Sequence, residues 1–221
     1  MAERTVRIWD LPTRLFHWAL VLCLAGSWYT GENDLMDWHM RLGYAALALV
    51  LFRVAWGFAG GRTARFAGFL KGPGAVLHHV RALLSRGPWT PEAGHNPLGG
   101  WAVLALLAAV AAQAATGLFT IDDLGLYGGP FAERVSEETG KLLRRLHFLN
   151  FDLLLVLAGV HVAAVLLYLL VKRDNLIRPM LTGSRRLDLA GHEPLGPVPA
   201  WRAPLLLAAS AALVWALVTL A

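Results

Sequence analysis

The sequence predicts an all-α integral membrane protein, a bundle of helices crossing a bilayer. Three observations carry that expectation: too few charges, apolar blocks of spanning length, and basic residues confined to alternate connections. Of 221 residues, 57% are hydrophobic and 16% charged, whereas an average soluble domain is nearer half apolar and a quarter charged. A soluble domain of this size still needs a polar surface, so a drier core does not account for the shift. The same arithmetic excludes disorder, a disulfide-built secreted scaffold and a collagen-like repeat. The single cysteine, Cys23, neither staples the fold nor supplies an all-thiolate metal site, and reads as a small core residue.

A bilayer core of about 30 Å needs roughly 20 mostly apolar helical residues. Blocks 15–29, 38–58, 98–120 and 142–171 read as four spans, and 204–221 as a shorter fifth without charge. The polar flank of the first block, with no small-residue cleavage site, argues against a removable signal peptide. None of the blocks alternates with period two, which excludes a closed β-barrel. Residues 73–85 predict a short helix with Pro73 in its first turn. Its apolar face of Val76, Leu77, Val80, Leu83 and Leu84 would lie in the inner interface plane, with His78 and His79 interfacial. Stretches 87–100 and 191–199, rich in Gly and Pro, read as loops, and His192 as a solvated loop residue. Residues 1–183 thus form the core bundle, and 184–221 a linker and C-terminal span. No internal repeat is visible.

Short cytoplasmic loops carry the excess of Lys and Arg. Arg4, Arg7 and Arg14 precede the first block, and Arg62, Arg65, Lys71, Arg81 and Arg86 lie between the second and third. Lys172, Arg173, Arg178, Arg185, Arg186 and Arg202 follow the fourth. Glu32, Asp34 and Asp37 occupy the first connection, and Asp122, Asp123, Glu133, Glu137 and Glu138 the third. The N-terminus is therefore expected in the cytoplasm. The net charge of +5 reads as topology and contact with anionic lipid, not nucleic acid. Trp9, Trp18, Trp56 and Trp101 at the inner ends, with Trp28 and Trp38 at the outer, predict an aromatic belt.

Ionisable groups inside a span are costly and mark functional candidates. His17, His39, His147 and His161 fall at or within the blocks. With the chain running alternately outward and inward, His17 and His161 lie at the inner level, His39 and His147 at the outer. Fourteen residues separate His147 from His161, about 21 Å along a helix and within about 40° of one face. One helix thus offers two imidazoles to two stacked sites in a bundle interior. Pairs His17 with His161 and His39 with His147 suit two six-coordinate haem b groups, which pass electrons and leave no position open for a substrate. A lone membrane histidine is commonly a hydrogen-bonder between helices, and one zinc ion cannot bridge two such levels. Pairing at two depths favours haem. The expected fold is a four-helix di-haem transmembrane bundle plus an additional C-terminal transmembrane helix.

Arg53 follows His39 by fourteen residues, one haem level deeper. It either meets an inner haem propionate or snorkels to the inner headgroups. Arg41, with Arg144 or Arg145, is the corresponding candidate at the outer haem. Asp152 reads as a hydrogen-bonding neighbour or as a proton relay to a quinone.

The leader Val6-Arg7-Ile8-Trp9-Asp10-Leu11-Pro12-Thr13-Arg14-Leu15-Phe16-His17-Trp18 resembles the opening of the bacterial cytochrome b561 and nickel-iron hydrogenase cytochrome b family. His39-Met40-Arg41-Leu42-Gly43-Tyr44, Phe52-Arg53-Val54-Ala55-Trp56-Gly57 and Gly94-His95-Asn96-Pro97-Leu98-Gly99-Gly100 follow in order, and the resemblance spans 5–183. It implies a bacterial inner-membrane protein with a di-haem core ligated by His17, His39, His147 and His161. It also implies ubiquinone or menaquinone as exchangeable substrate. His95 falls outside the ligand set, near the inner surface at a quinone site or a propionate. The tail from 184 departs from minimal four-helix members, and either docks a partner or anchors the chain. Neither a c-type haem attachment motif nor a dinucleotide fingerprint is present.

The expected function is electron transfer between a periplasmic redox partner and the quinone pool. A c-type cytochrome, a hydrogenase or another oxidoreductase would fill the partner's place, and acidic outer loops would steer a cationic one. The alternative implied by the resemblance is a self-sufficient superoxide:quinone oxidoreductase, with Arg41, Lys141, Arg144 and Arg145 as a cationic funnel. A haem-free assembly factor on the same scaffold would be favoured by loss of a histidine, and all four are present.

Overall fold

The computed structural model describes residues 4–85, 89, 91–92, 94–122, 125–187 and 198–220, so His192 lies outside the described residues. Helices dominate. In chain order the elements are β1 (Arg4–Arg7), α1 (Leu11–Glu32), α2 (Met36–Ala59), α3 (Phe66–Phe69), α4 (Pro73–Leu84), α5 (Pro97–Gly117), α6 (Glu137–Leu170), α7 (Ile177–Thr182), β2 (Ser184–Leu187) and α8 (Arg202–Thr219).

Among the described residues four helices, α2, α5, α6 and α8, are long and apolar enough to cross a membrane. At 34 residues, α6 runs about 51 Å, enough to traverse a hydrocarbon core of about 30 Å and reach headgroup level at both ends. Leu149, Leu153, Val156 and Val160 along it are all exposed, an arrangement that suits lipid and not water. The first expected span is the exception. At 22 residues α1 is long enough, but Thr13, Arg14, His17, Ser27 and Thr30 leave it too polar to join the other four by composition.

The chain folds as two compact units. The first comprises Met1–Leu15, Ala55–Ala105 and Gly159–Ala203. It contains an antiparallel pair that residue patterning does not reveal, β1 on β2, with Arg4 opposite Leu187 and Arg7 opposite Ser184. Just before β2, the carbonyl of Gly183 accepts the N–H groups of Ile8 and Trp9 at 2.8 and 3.1 Å. Gly183 has φ +83°, and a Cβ there would stand 2.9 Å from the Trp9 carbonyl oxygen; both constraints call for glycine. Ile8 and Trp9 bury against Met180. Asp10 caps α1 by accepting the Thr13 N–H at 2.9 Å.

Trp9 and Trp56 are only 7% and 2% exposed, which corrects their assignment to the aromatic belt. Each fills protein interior, and the Trp56 indole N–H donates to Asp10 at 3.1 Å. Trp18, Trp28, Trp38 and Trp101 are exposed, as a belt requires.

The second unit comprises Phe16–Val54, Leu106–Ala158 and Pro204–Ala221. Its core is Val50, Ala109, Val110 and Leu154, with Leu20, Leu24, Ala111 and Leu157 packed on it. Segments of α1, α2, α5 and α6 therefore share one interior. Asn150 of α6 donates to the Ala109 carbonyl at 2.9 Å and to Gln113 Oε1 at 2.7 Å on α5. Polar ties of this kind hold helices together where lipid supplies no hydrophobic drive.

Candidate metal centre

Two imidazoles of the second unit come together. His39 lies in the first turn of α2 and His147 in the third turn of α6, with ring centroids 6.3 Å apart and planes inclined by 67°. His39 Nδ1–H donates to the Ser27 carbonyl of α1 at 2.8 Å. His147 Nδ1–H donates to the Gln113 carbonyl of α5 at 3.0 Å and faces Thr116 Oγ1 at 3.1 Å. A carbonyl oxygen only accepts, so both rings carry their proton on Nδ1 and keep the Nε2 lone pair for a metal. Metal-binding histidines are oriented in this way, by donating the opposite N–H to a carbonyl.

The spacing agrees with that chemistry. Two axial bonds of about 2 Å plus two ring radii add to about 6 Å, so a separation of 6.3 Å fits one metal ion between the rings. A tetrahedral zinc site needs further ligands, and no group of three or more His, Cys, Asp or Glu is assembled for a metal among the described residues. Two imidazoles at this separation would instead suit a haem iron, whose remaining ligands the macrocycle itself would supply.

Glycines make room for the rings. A Cβ at Gly31 would stand 3.0 Å from His39 Nδ1, and one at Gly117 would stand 3.1 Å from His147 Cε1. Gly43 follows His39 by one turn on the same face of α2. A Cβ there would meet nothing within 4 Å, so the space beside that turn of α2 is open.

The remaining candidates are distributed as follows. His17 on α1 is half-buried and stands edge-on to Trp18, with centroids 5.0 Å apart. His161 on α6 is exposed. His17 belongs to the second unit and His161 to the first. Arg53 is 2% exposed, and a guanidinium so enclosed is not snorkelling. Arg41 is exposed, lies 5.3 Å over the Trp38 ring, and lines a cleft of about 220 Å³ with Asp34, Asp37 and Tyr127. Arg144 lies 5.4 Å over Phe148, Lys141 pairs with Glu137, and Asp152 is exposed. His95 sits against Trp9 and Phe69 in the first unit, with centroids 4.6 and 4.5 Å away.

His79 departs from its expected interfacial position. It is 5% exposed, with Nε2 2.8 Å from the Tyr168 hydroxyl and Nδ1 3.2 Å from the Glu92 carboxylate. Asn96 donates to the same hydroxyl at 3.0 Å. A histidine with both nitrogens satisfied is buried at little cost, so α4 turns it into the first unit.

Compared with protein families as a whole, residues 8–183 match the prokaryotic cytochrome b561 family. No curated protein and no solved structure matches the chain.

Proposed function

The chain belongs to the prokaryotic cytochrome b561 family, and on that premise we propose that it carries electrons between a periplasmic redox partner and the quinone pool. Membership makes it a multi-pass membrane b-type cytochrome of electron transfer, in a family whose members bind two b-type haems. The observation that carries the finer reading is the His39–His147 pair, with ring protons on Nδ1 and centroids 6.3 Å apart.

His39 and His147 would hold the outer iron, and His17 and His161 the inner. Haem b held by these histidines would supply a one-electron couple for electron transfer. Buried Arg53 would neutralise a propionate at the inner level, and Arg41 one at the outer. The helix α1 crosses with the others, and its polar Thr13 and Thr30 are buried, not exposed to lipid. The basic residues of the leader and of the connections after α2 and α6 favour an N-terminus in the cytoplasm. Asp34 and Asp37 then face the periplasm and suit a cationic partner such as a c-type cytochrome, with a hydrogenase or another oxidoreductase equally compatible. Ubiquinone or menaquinone exchanges the electrons on the inner side.

Purified protein should contain two haem b per chain by pyridine haemochrome assay. His147→Ala and His161→Ala should each remove one haem and spare the other; unchanged haem content in either variant would refute that pairing. The superoxide:quinone reading has less support, because Lys141 of the supposed funnel pairs with Glu137 and Arg41 stands among Asp34 and Asp37. Rapid reduction of the oxidised protein by a calibrated superoxide source, with no partner added, would reverse that preference.

A further inference from the structure

The basic residues after α6 are organised as well as numerous. The helix closes with Lys172 N–H donating to the Leu167 carbonyl at 3.3 Å and Asp174 N–H to the Tyr168 carbonyl at 2.9 Å. Between them Arg173 adopts φ +55°, the left-handed conformation that ends many helices and normally holds glycine. The chain therefore keeps a large cation where its backbone would favour the smallest residue.

Arg173 lines a cleft of about 430 Å³ within the first unit, together with Arg178 of α7 and Arg185 and Arg186 of β2. The carboxylate at this cleft, Asp174, is already engaged. It is 5% exposed, pairs with Arg185 through one oxygen and accepts the Trp89 indole N–H at 2.9 Å on the other. Lys172, also on the rim, donates to the Ser85 carbonyl at 3.0 Å. By contrast Arg173, Arg178 and Arg186 have no side-chain hydrogen bond or ion pair among the described residues. They lie within fourteen residues of chain, on the turn after α6, on α7 and on β2, and the folding of that short stretch sets them around one concavity. Like charges around one concavity repel one another and focus a positive potential on it. Guanidinium forks match phosphate oxygens in geometry and charge.

We infer that this cleft binds a phosphate-bearing anion, held by Arg173, Arg178 and Arg186 in a frame set by the Arg185–Asp174 pair. Two sources have that chemistry. The cleft opens just past the end of a helix long enough to reach headgroup level, where an anionic phospholipid is at hand; a free phosphate compound is the other source.

The full-length protein in detergent is offered phosphatidylglycerol or phosphatidylcholine and examined by native mass spectrometry. In a separate arm, inorganic phosphate or pyrophosphate is titrated calorimetrically. Preferential retention of phosphatidylglycerol assigns the site to lipid, and saturable binding of the inorganic anions assigns it to a free ligand. In whichever arm responds, the triple variant Arg173→Gln, Arg178→Gln, Arg186→Gln should lose about ten-fold or more in affinity. A charge-matched control, Arg62→Gln, Lys71→Gln, Arg81→Gln, removes three exposed cations outside the cleft and should change affinity less than about two-fold. Absence of selective binding in both arms would overturn the inference, as would a control variant that loses as much as the cleft variant. Arg173→Gly separates binding from folding: it relieves the left-handed position, so thermal stability should hold or rise while anion affinity falls. Retained affinity in that variant would also count against the site.

Discussion

The indole N–H of Trp56 and the carboxylate of Asp10 meet at 3.1 Å, across 46 residues of sequence. The second oxygen of the same carboxylate accepts the Thr13 N–H at 2.9 Å. One side chain thereby starts α1 and ties it to the far end of α2. Asp10→Ala loses both the cap and the acceptor of the indole N–H, and should cost roughly 2–3 kcal/mol. Asp10→Asn keeps one accepting oxygen for the cap but turns its NH2 toward the indole N–H, and should cost less than Asp10→Ala, about 1–2 kcal/mol. Thermal unfolding followed by far-UV circular dichroism checks the order of the two variants.

Thr116 Oγ1 lies 3.1 Å from His147 Nδ1, beside the Gln113 carbonyl that accepts the same N–H. An acceptor on Nδ1 makes the imidazole a stronger donor at Nε2 and favours the oxidised metal. Thr116→Val keeps the shape and removes the acceptor. If His147 holds a haem, as proposed, that haem's midpoint potential should rise by on the order of tens of millivolts, with haem content unchanged. A redox titration with no shift would mean that the Gln113 carbonyl alone sets the ring.

Gly43 and Gly117 should respond differently to added bulk. A side chain at Gly117 presses on His147, 3.1 Å from its Cε1, whereas one at Gly43 meets nothing within 4 Å. Gly117→Val should therefore lower both stability and haem content. Gly43→Leu should leave the helix content and melting of the haem-free chain intact and prevent haem incorporation. If Gly43→Leu takes up two haems, the open space beside it is not the macrocycle's.

The contact between His79 and Tyr168, 2.8 Å long and buried, predicts energetic coupling. His79→Phe leaves the Tyr168 hydroxyl with Asn96 alone, and Tyr168→Phe leaves His79 with Glu92. Each single variant should cost about 1–3 kcal/mol. In a double-mutant cycle the pair should show about 0.5–3 kcal/mol of interaction. Additive losses would show that the two side chains pack without sharing a hydrogen bond.

Much of this was legible because membrane proteins announce themselves locally. Blocks 38–58, 98–120 and 142–171 lie on α2, α5 and α6 because a run of apolar residues must satisfy its own backbone in lipid, and a helix does so without outside partners. The 204–221 block forms α8 for the same reason. His39 and His147 were legible as a pair from depth alone, since position along a span is a count of residues at about 1.5 Å each. Trp9, Trp56 and His79 were misplaced because an aromatic or a histidine near a span end has the same local pattern in an interface belt and in a protein core. Which one holds depends on a partner elsewhere in the chain: Asp10 for Trp56, Tyr168 and Glu92 for His79.

Taken by itself, the residue order settled what is periodic or countable: the apolar blocks, the charges between them, and the fourteen-residue spacing of His147 and His161. Those properties follow from each residue's own transfer energy and from helix geometry, which need no knowledge of neighbours. Tertiary structure alone decided the pairing of β1 with β2 and the carbonyls that set the His39 and His147 tautomers. Such hydrogen bonds are relations between separate segments of the chain. They come into being only when packing brings their members within about 3 Å.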